Sequence, residues 1–275
     1  MRRGDACQLA EGAVDFRGPT VGHDVQVARQ NANAWWCRRY NADGLQSFGY
    51  LRVINEDRIA VNNGFGFHSH REFEIFTYMV RGEIEHKDSM GNVEIIKRGD
   101  IQLTSASTGI RYSEICHGLE EAHLIQIWTA PWQKNLEPKY CTRHFSDDEK
   151  TNNWVQVVAP ANADGVSLQR DGIGPAPVHS YVSLWATVLL PGAKLSRKFP
   201  SFGAGPKKKA YLQIVQNSGF NQGQARGGSA VLEIDQHKAV FREGDGAFVY
   251  GEEGSELQVE NTGKTAVEIL RFDVQ

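Results

Sequence analysis

The sequence predicts an all-β protein built from two similar barrel-like domains, and three observations carry this prediction. Short apolar runs with strand-like alternation recur along most of the 275 residues, and turn residues separate them. Glycine is frequent, with 28 residues, whereas long amphipathic heptads are absent. A glycine–aspartate turn with a similar lead-in occurs twice, at Gly99-Asp100 and Gly244-Asp245, about one domain length apart.

Composition narrows the class of protein. Hydrophobic residues at 40% and charged residues at 23% are ordinary for a folded soluble chain. The formal net charge of -3 predicts no direct nucleic-acid binding and no recruitment to an anionic membrane. No run reaches the roughly 18 apolar residues that a membrane-spanning helix needs, and the N-terminus lacks an apolar signal core. We therefore expect a cytoplasmic location, with a nuclear one open if the source is eukaryotic.

The four cysteines predict reduced thiols in place of a disulfide framework. They are widely spaced and contain no CxxC pair, at Cys7, Cys37, Cys116 and Cys141.

The first half begins with an irregular lead-in over residues 1 to about 45, which contains the pair Trp35-Trp36. Strand-like runs then recur at short intervals, with turn chemistry such as Gly91-Asn92 between them. These runs cover residues 50–54, 73–80, 93–96, 101–103 and 124–128, with a further one around Ile84.

A break over residues 131–138 separates the halves, and we predict domains at 1–145 and 146–275. Ser146-Asp147-Asp148-Glu149 has the spacing of a capping box and predicts one or two helical turns. Residues 171–177 combine two glycines with two prolines and predict no regular structure. Strand-like runs cover 154–158, 182–190, 211–215, 231–234, 239–241, 247–250, 257–259 and 267–272.

The candidate chemistry lies in two strand-like segments, His68-Ser69-His70 and Tyr112-Ser113-Glu114. Alternate side chains of a strand share a face, so each segment offers two metal-capable groups to the same side. If the segments face each other inside a barrel, the four side chains converge. Two histidines and one carboxylate form the facial triad of non-haem iron sites.

Other groups have weaker claims to the site. Glu74 shares the parity of the histidines, in an HxHx3E spacing. His117 has the opposite parity to Tyr112, and only a bulge would turn it inward. His86 shares the parity of His70 but lies near the end of a predicted hairpin. The remaining histidines have no partner pattern.

The quoted segments, with Gly66–Glu74, Gly82–Gly91 and Arg98–Gln102 around them, resemble the pirin family of the cupin superfamily. The resemblance is strong over residues 48–147 and continues more weakly to the C-terminus. It implies a bicupin, with two jelly-roll barrels packed face to face. It also implies one metal, usually iron, held in the first barrel by three histidines and a glutamate, and a second barrel without metal.

By position, His68 and His70 match the first two histidine ligands and Glu114 matches the glutamate, while Glu74 matches a family glutamate that is not usually a ligand. The third histidine is missing, because the chain reads Tyr112 there. Three interpretations of Tyr112 are open: a phenolate ligand to ferric iron, a neutral phenol beside a two-histidine, one-carboxylate site, or a packing residue in a site that has lost its metal. The cofactor is thus one divalent or ferric ion, most often iron, or none.

The resemblance implies two kinds of function. One is a metal-dependent oxygenase of the quercetin 2,3-dioxygenase type, acting on an enolic or flavonol-type substrate. The other is a non-enzymatic regulatory or interaction bicupin, like a transcriptional cofactor, or a degenerate cupin. The expected partner is a small molecule or a protein, and a monomer is favoured. Substrate choice depends on pocket shape, which the sequence does not reveal.

Overall fold

The computed structural model describes residues 14–17, 23–25, 47–201, 207–219, 227–234 and 237–275. They form two compact units. The first comprises the described residues within 22–146 and 156–182, and the second those within 1–21, 147–155 and 183–275. Strand β1 (Val14–Arg17) is in the second unit and β2 (His23–Val25) in the first.

The first unit contains two sheets. Its further strands are β3 (Leu51–Ile59), β4 (Gly64–His70), β5 (Glu74–Arg81), β6 (Glu83–Asp88), β7 (Val93–Lys97), β8 (Asp100–Ser105), β9 (Ile110–His117), β10 (Ala122–Thr129) and β11 (Lys139–His144). One sheet has the order β11-β8-β5-β10-β3-β2 and the other the order β4-β9-β6-β7. All neighbours are antiparallel except β2 and β3.

The two sheets of this unit enclose a common core at one end. Ile59, Met79 and Leu124 from the larger sheet pack with Ile84 and Ile96 from the smaller one. These side chains are at most 2% exposed. Burying each aliphatic side chain of this size contributes about 1.5–3 kcal/mol. The other end of the same interior is polar and aromatic, and it holds the candidate site.

The second unit follows the same plan. A short helix α1 (Asp147–Lys150) comes first, as the capping box predicts. Strands β12 (Val155–Pro160) and β13 (Ala176–Val178) come next along the chain and, apart from Val155, belong to the first unit. The later strands, which apart from Val182 lie in the second unit, are β14 (Val182–Leu189), β15 (Lys194–Lys198), β16 (Lys207–Ile214), β17 (Ser229–Ile234), β18 (His237–Arg242), β19 (Gly246–Glu252), β20 (Glu256–Glu260) and β21 (Val267–Val274). Neighbours run β1-β19-β16-β21-β14 in one sheet and β15-β20-β17-β18 in the other. Aliphatic residues of both sheets form one buried cluster. The all-β prediction is confirmed.

The repeated turn has the same construction in both units. Gly99 and Gly244 have φ angles of 90° and 86°, a region that favours glycine. In each turn the following aspartate accepts a hydrogen bond from a backbone N–H three residues earlier: Asp100 from Lys97 at 2.9 Å, and Asp245 from Arg242 at 2.8 Å. A Cβ on Gly99 would lie 2.7 Å from the Phe145 carbonyl oxygen. The sequence repeat is therefore a structural repeat.

Two expectations need correction. Strands β1 and β2 lie in the lead-in that was expected to be irregular, whereas Trp35 and Trp36 lie outside the described residues. Strand β13 begins inside the segment 171–177. It can contain Pro177 because it is an edge strand, where the N–H that proline lacks is not needed to pair with a further strand.

Cys116 and Cys141 are free and buried, and Cys7 and Cys37 lie outside the described residues. No helix among the described residues is long and apolar enough to cross a bilayer.

Candidate metal centre

The four predicted side chains lie on one face of the smaller sheet of the first unit. Strands β4 and β9 are antiparallel neighbours, and His68 is directly opposite Tyr112. The ring centroids of His68 and His70 are 4.6 Å apart, and those of Tyr112 lie 4.8 and 5.1 Å from them. Glu114 follows two residues after Tyr112 and shares its face. The alternation of side chains along the two strands thus predicted correctly that these groups share one face.

Both imidazoles favour the neutral state. Burial lowers the pKa of His68, although a hydrogen bond to the Gly66 carbonyl opposes this change. Burial, with the neighbouring His68, lowers the pKa of His70 to about 4. The Nδ1 atom of His68 lies 2.7 Å from the Gly66 oxygen, so the proton sits on Nδ1 and Nε2 keeps its lone pair. A neutral imidazole with a fixed tautomer is the form that binds metals.

Tyr112 is packed among imidazoles and holds its proton. Its side chain is fully buried, and its hydroxyl has no hydrogen-bond partner among the described residues. Its ring also lies 5.4 Å from that of His86. Burial, followed by the charge of Glu114, raises the pKa of Tyr112 well above its ordinary value. The phenol is therefore neutral in this environment.

Glu114 is held by the opposite sheet. Its Oε1 accepts hydrogen bonds from Gln102 at 2.8 Å and from Thr77 at 3.3 Å, and its Oε2 accepts one from Gln126 at 2.8 Å. Burial raises the pKa of Glu114 to about 7, although these three donors oppose the rise. A carboxylate offers about four lone-pair sites, so three donors leave one open.

Aromatic groups lie beside both carboxamides that hold Glu114. Trp128 Nε1 donates to Gln126 Oε1 at 3.2 Å, which leaves the Gln126 N–H₂ group to donate to the carboxylate. The Tyr140 hydroxyl lies 3.5 Å from Gln102 Oε1, but it donates its single proton to Glu94 at 3.0 Å. The sequence pattern did not predict Gln102, Gln126 or Thr77, because their role depends on strand register between β5, β8 and β10.

His86 is the second group that pattern reasoning undervalued. It is fully buried on β6, directly opposite Glu114 in the register of the sheet. Its ring stacks on Tyr140 at 4.7 Å, and its Nε2 lies 3.4 Å from Asp88 Oδ2. Burial lowers its pKa despite the neighbouring Asp88. Its parity with His70 was the available signal, but the predicted hairpin end suggested an exposed position.

Other candidate groups lie elsewhere. Glu74 is three residues before Thr77 on β5 and points to the opposite face, where Ser105 and His179 bind it. Its parity prediction is wrong because the chain turns between β4 and β5, with Glu72 at a φ of 58°. His117 is exposed on the outer face, as predicted. His179 belongs to the first unit, so His237 is the histidine described in the second.

The donor chemistry fits one weakly held metal ion. Two neutral imidazoles and one carboxylate with an open lone-pair site are ligands that a divalent first-row metal accepts. However, no three His, Cys, Asp or Glu side chains in the part of the chain that the structure describes already converge as a metal cluster. Binding would therefore use the lone-pair site that the three donors leave open on Glu114, and the ion would have three protein ligands.

Comparison with known proteins bears on the family and the fold of the chain. The pirin family profile matches residues 25–129. A protein from Escherichia coli K12 named quercetin 2,3-dioxygenase is 33% identical over 202 residues, which cover 73% of this chain and 80% of that protein. The chain belongs to the pirin family. A Pasteurella multocida pirin relative, named a putative quercetin 2,3-dioxygenase, is 34% identical over 71% of this chain and 76% of its own length.

Solved pirin structures share the fold over nearly the whole chain. The crystal structure of YhhW from Escherichia coli has a TM-score of 0.70 and 28% identity, and it covers 96% of this chain and 98% of its own. A second structure, described as the bacterial pirin YhhW in complex with nickel(II), has a TM-score of 0.64 and 27% identity, with 98% and 95% of the two chains covered.

Proposed function

We propose that the first barrel of this pirin binds one metal ion through His68, His70 and Glu114, more weakly than a pirin with three histidines does. Tyr112 stands as a neutral phenol in place of the third imidazole. We further propose that the loaded site acts on an enolic or flavonol-type molecule and O₂, in a cytoplasmic protein. Iron and nickel are the ions to test first, because iron is usual in the family and a related pirin was crystallised with nickel(II).

The observation that carries this proposal is a pair of adjacent neutral imidazoles on the same barrel face as a buried carboxylate. A structural role alone does not require His68 to hold its proton on Nδ1 and keep Nε2 unprotonated. It also does not require a buried carboxylate with three protein donors. These features are those of ligands supported by surrounding hydrogen bonds.

A bound ion would supply Lewis acidity and, if redox-active, electron exchange. The other functions belong to side chains of the chain itself. Glu114, held by Gln102, Thr77 and Gln126, would offer its remaining lone-pair site to the ion. Tyr112 keeps its own proton and fills the interior next to both imidazoles, which excludes water. His68 is the most exposed of the four groups, so substrate approaches from its side.

Oxygen consumption with a panel of flavonols, using protein loaded with Fe(II) or Ni(II), tests the proposed activity. We expect turnover that disappears in His68→Ala/His70→Ala. His144→Ala is a suitable control, because His144 is exposed and pairs with Asp100 away from the site. Turnover that survives in the double variant would place the activity elsewhere.

A metal-free interaction role is the second candidate, and one observation favours it. Both oxygens of Glu114 already accept protein hydrogen bonds, and the described residues contain no preformed cluster of three ligands. This role predicts no specific metal uptake and no flavonol turnover. Equilibrium dialysis against Fe(II) and Ni(II) under anaerobic conditions separates it from the leading proposal.

A further inference from the structure

An open cavity of about 340 Å³ lies on the outer face of the larger sheet of the first unit. Leu103, Ser105 and Cys141 from β8 and β11 form its floor, the exposed Lys139 of β11 lies at its rim, and residues of the segment 168–179 form the opposite wall. Side chains alternate along β8, so Gln102 points into the barrel toward Glu114 while Leu103 and Ser105 face this cavity. The cavity therefore lies on the opposite side of β8 from the candidate metal centre, and Tyr140 is a lining residue that also contacts Gln102 near that centre.

The wall of the cavity is fixed at both ends by buried charged groups. The Arg143 guanidinium, 5% exposed, donates to the backbone carbonyls of Ser167, Gln169 and Arg170. At the other end the fully buried Glu74 accepts hydrogen bonds from the His179 backbone N–H at 3.0 Å and from the Ser105 hydroxyl. Such anchoring holds the loop in place before any ligand arrives, which reduces the entropy lost on binding.

The lining carries basic groups and no acidic one. Lys139, Arg170 and His179 are basic, and no lining residue is acidic. The Arg170 guanidinium is paired with Glu94, and His179 shares Glu74, but Lys139 forms no ion pair with any residue that the structure describes. The other lining groups are mostly apolar, among them Leu103, Leu168 and Pro177. A volume of about 340 Å³ lies at the lower end of the range for small-molecule sites.

We propose that this cavity is a second ligand site, which takes a small organic anion with a planar apolar body. The carboxylate of the ligand pairs with Lys139 at the rim, and its apolar body lies between Leu103 and Leu168. The His179 Nδ1 atom lies 3.4 Å from Glu74, which leaves Nε2 available for a hydrogen bond with a hydroxyl on the ligand. This site is independent of metal binding in the barrel.

Binding of 1-naphthoate to the full-length protein, measured by titration calorimetry, tests the proposal, with 1-naphthylmethylamine as the cation of matching shape. We expect saturable binding of the anion and none of the amine. Lys139→Met should weaken binding about two- to fivefold, the effect of one partly exposed ion pair, and Leu168→Asp should weaken it further. Lys134→Met, which changes another exposed lysine outside the cavity, should leave binding unchanged.

His68→Ala/His70→Ala should also leave naphthoate binding unchanged, and amide NMR signals of residues 139–141 and 168–179 should shift on titration. The proposal fails if naphthoate does not bind saturably, or if the amine binds equally well. It also fails if Lys139→Met behaves like Lys134→Met, or if the histidine double variant loses binding, since the anion would then sit in the barrel.

Discussion

Replacing Tyr112 with phenylalanine should stabilise the metal-free protein, which is unusual for a change in a barrel interior. The Tyr112 hydroxyl is fully buried and has no hydrogen-bond partner among the described residues. A buried polar group left in this state costs about 1–3 kcal/mol. Tyr112→Phe removes the group and keeps the ring contacts with His68 and His70. We expect the free energy of unfolding to rise by about 1 kcal/mol or more.

Thermal unfolding in the presence of a chelator measures this effect. A change of 1 kcal/mol shifts the midpoint by about 2–4 °C in domains of 150–250 residues. Tyr140→Phe is a matched control in the same barrel, because the Tyr140 hydroxyl donates to Glu94 at 3.0 Å. That variant should lose about 0.5–1.5 kcal/mol, so the two substitutions should move the midpoint in opposite directions.

Adding metal to Tyr112→Phe distinguishes the possible roles of Tyr112. If the phenol stays neutral, Tyr112→Phe keeps the metal-dependent rise in midpoint. If Tyr112 is a phenolate ligand, the variant loses that rise, and an iron-loaded sample loses its phenolate-to-iron absorption band. A metal-free Tyr112→Phe protein that unfolds earlier than wild type, as Tyr140→Phe does, would refute the reasoning about the unpartnered hydroxyl.

Three further predictions follow from the same contacts. Burial and the nearby Glu114 and Glu56 raise the pKa of Asp57 to about 7. The folded state therefore favours the protonated carboxyl of Asp57, and the free energy of unfolding declines as the pH rises from about 4 to 7. Asp57→Asn should remove the Asp57 part of this decline, worth roughly 4 kcal/mol at most, and leave the part that Glu114 contributes. Urea unfolding at pH 5 and pH 8 would show a constant difference from wild type if Asp57 were not responsible. Gln126→Leu removes a donor to Glu114 and should lower metal affinity about tenfold, measured by competition with a chelating dye. Gln133→Leu changes an exposed glutamine and is its control. Equal affinities in Gln126→Leu and the wild type would contradict the role assigned to Gln126. The second barrel should hold no metal, so elemental analysis should show loss of metal in His68→Ala/His70→Ala and retention in His237→Ala, whereas a requirement for His237 would overturn this.

Strand periodicity and turn chemistry predicted most of the fold because both are local properties. The repeated Gly-Asp turn could be recognised from its residues, since the left-handed glycine and the aspartate acceptor lie within a few positions of each other. Strand β13 was missed because its proline is compatible with a strand only at a sheet edge, which is a property of topology.

The sequence predicted the site residues of the smaller sheet but not those of the larger sheet. Parity along β4 and β9 placed His68, His70, Tyr112 and Glu114 on one face. The partners of Glu114 come from three strands of the opposite sheet, and no sequence spacing connects Gln102, Gln126 and Thr77. Glu74 shows the limit of parity, since a turn between β4 and β5 reversed the face that simple alternation predicts.

Metal content of the unmodified protein and of Tyr112→His, purified side by side and measured by elemental analysis, tests the proposed metal centre most directly. With His68, His70 and Glu114 as the ligands, the unmodified protein should retain a substoichiometric amount of metal. Tyr112→His supplies a third imidazole beside the other two and should raise the content toward one ion per chain. Full occupancy in the unmodified protein, with no change in Tyr112→His, would contradict the proposal that Tyr112 weakens this site.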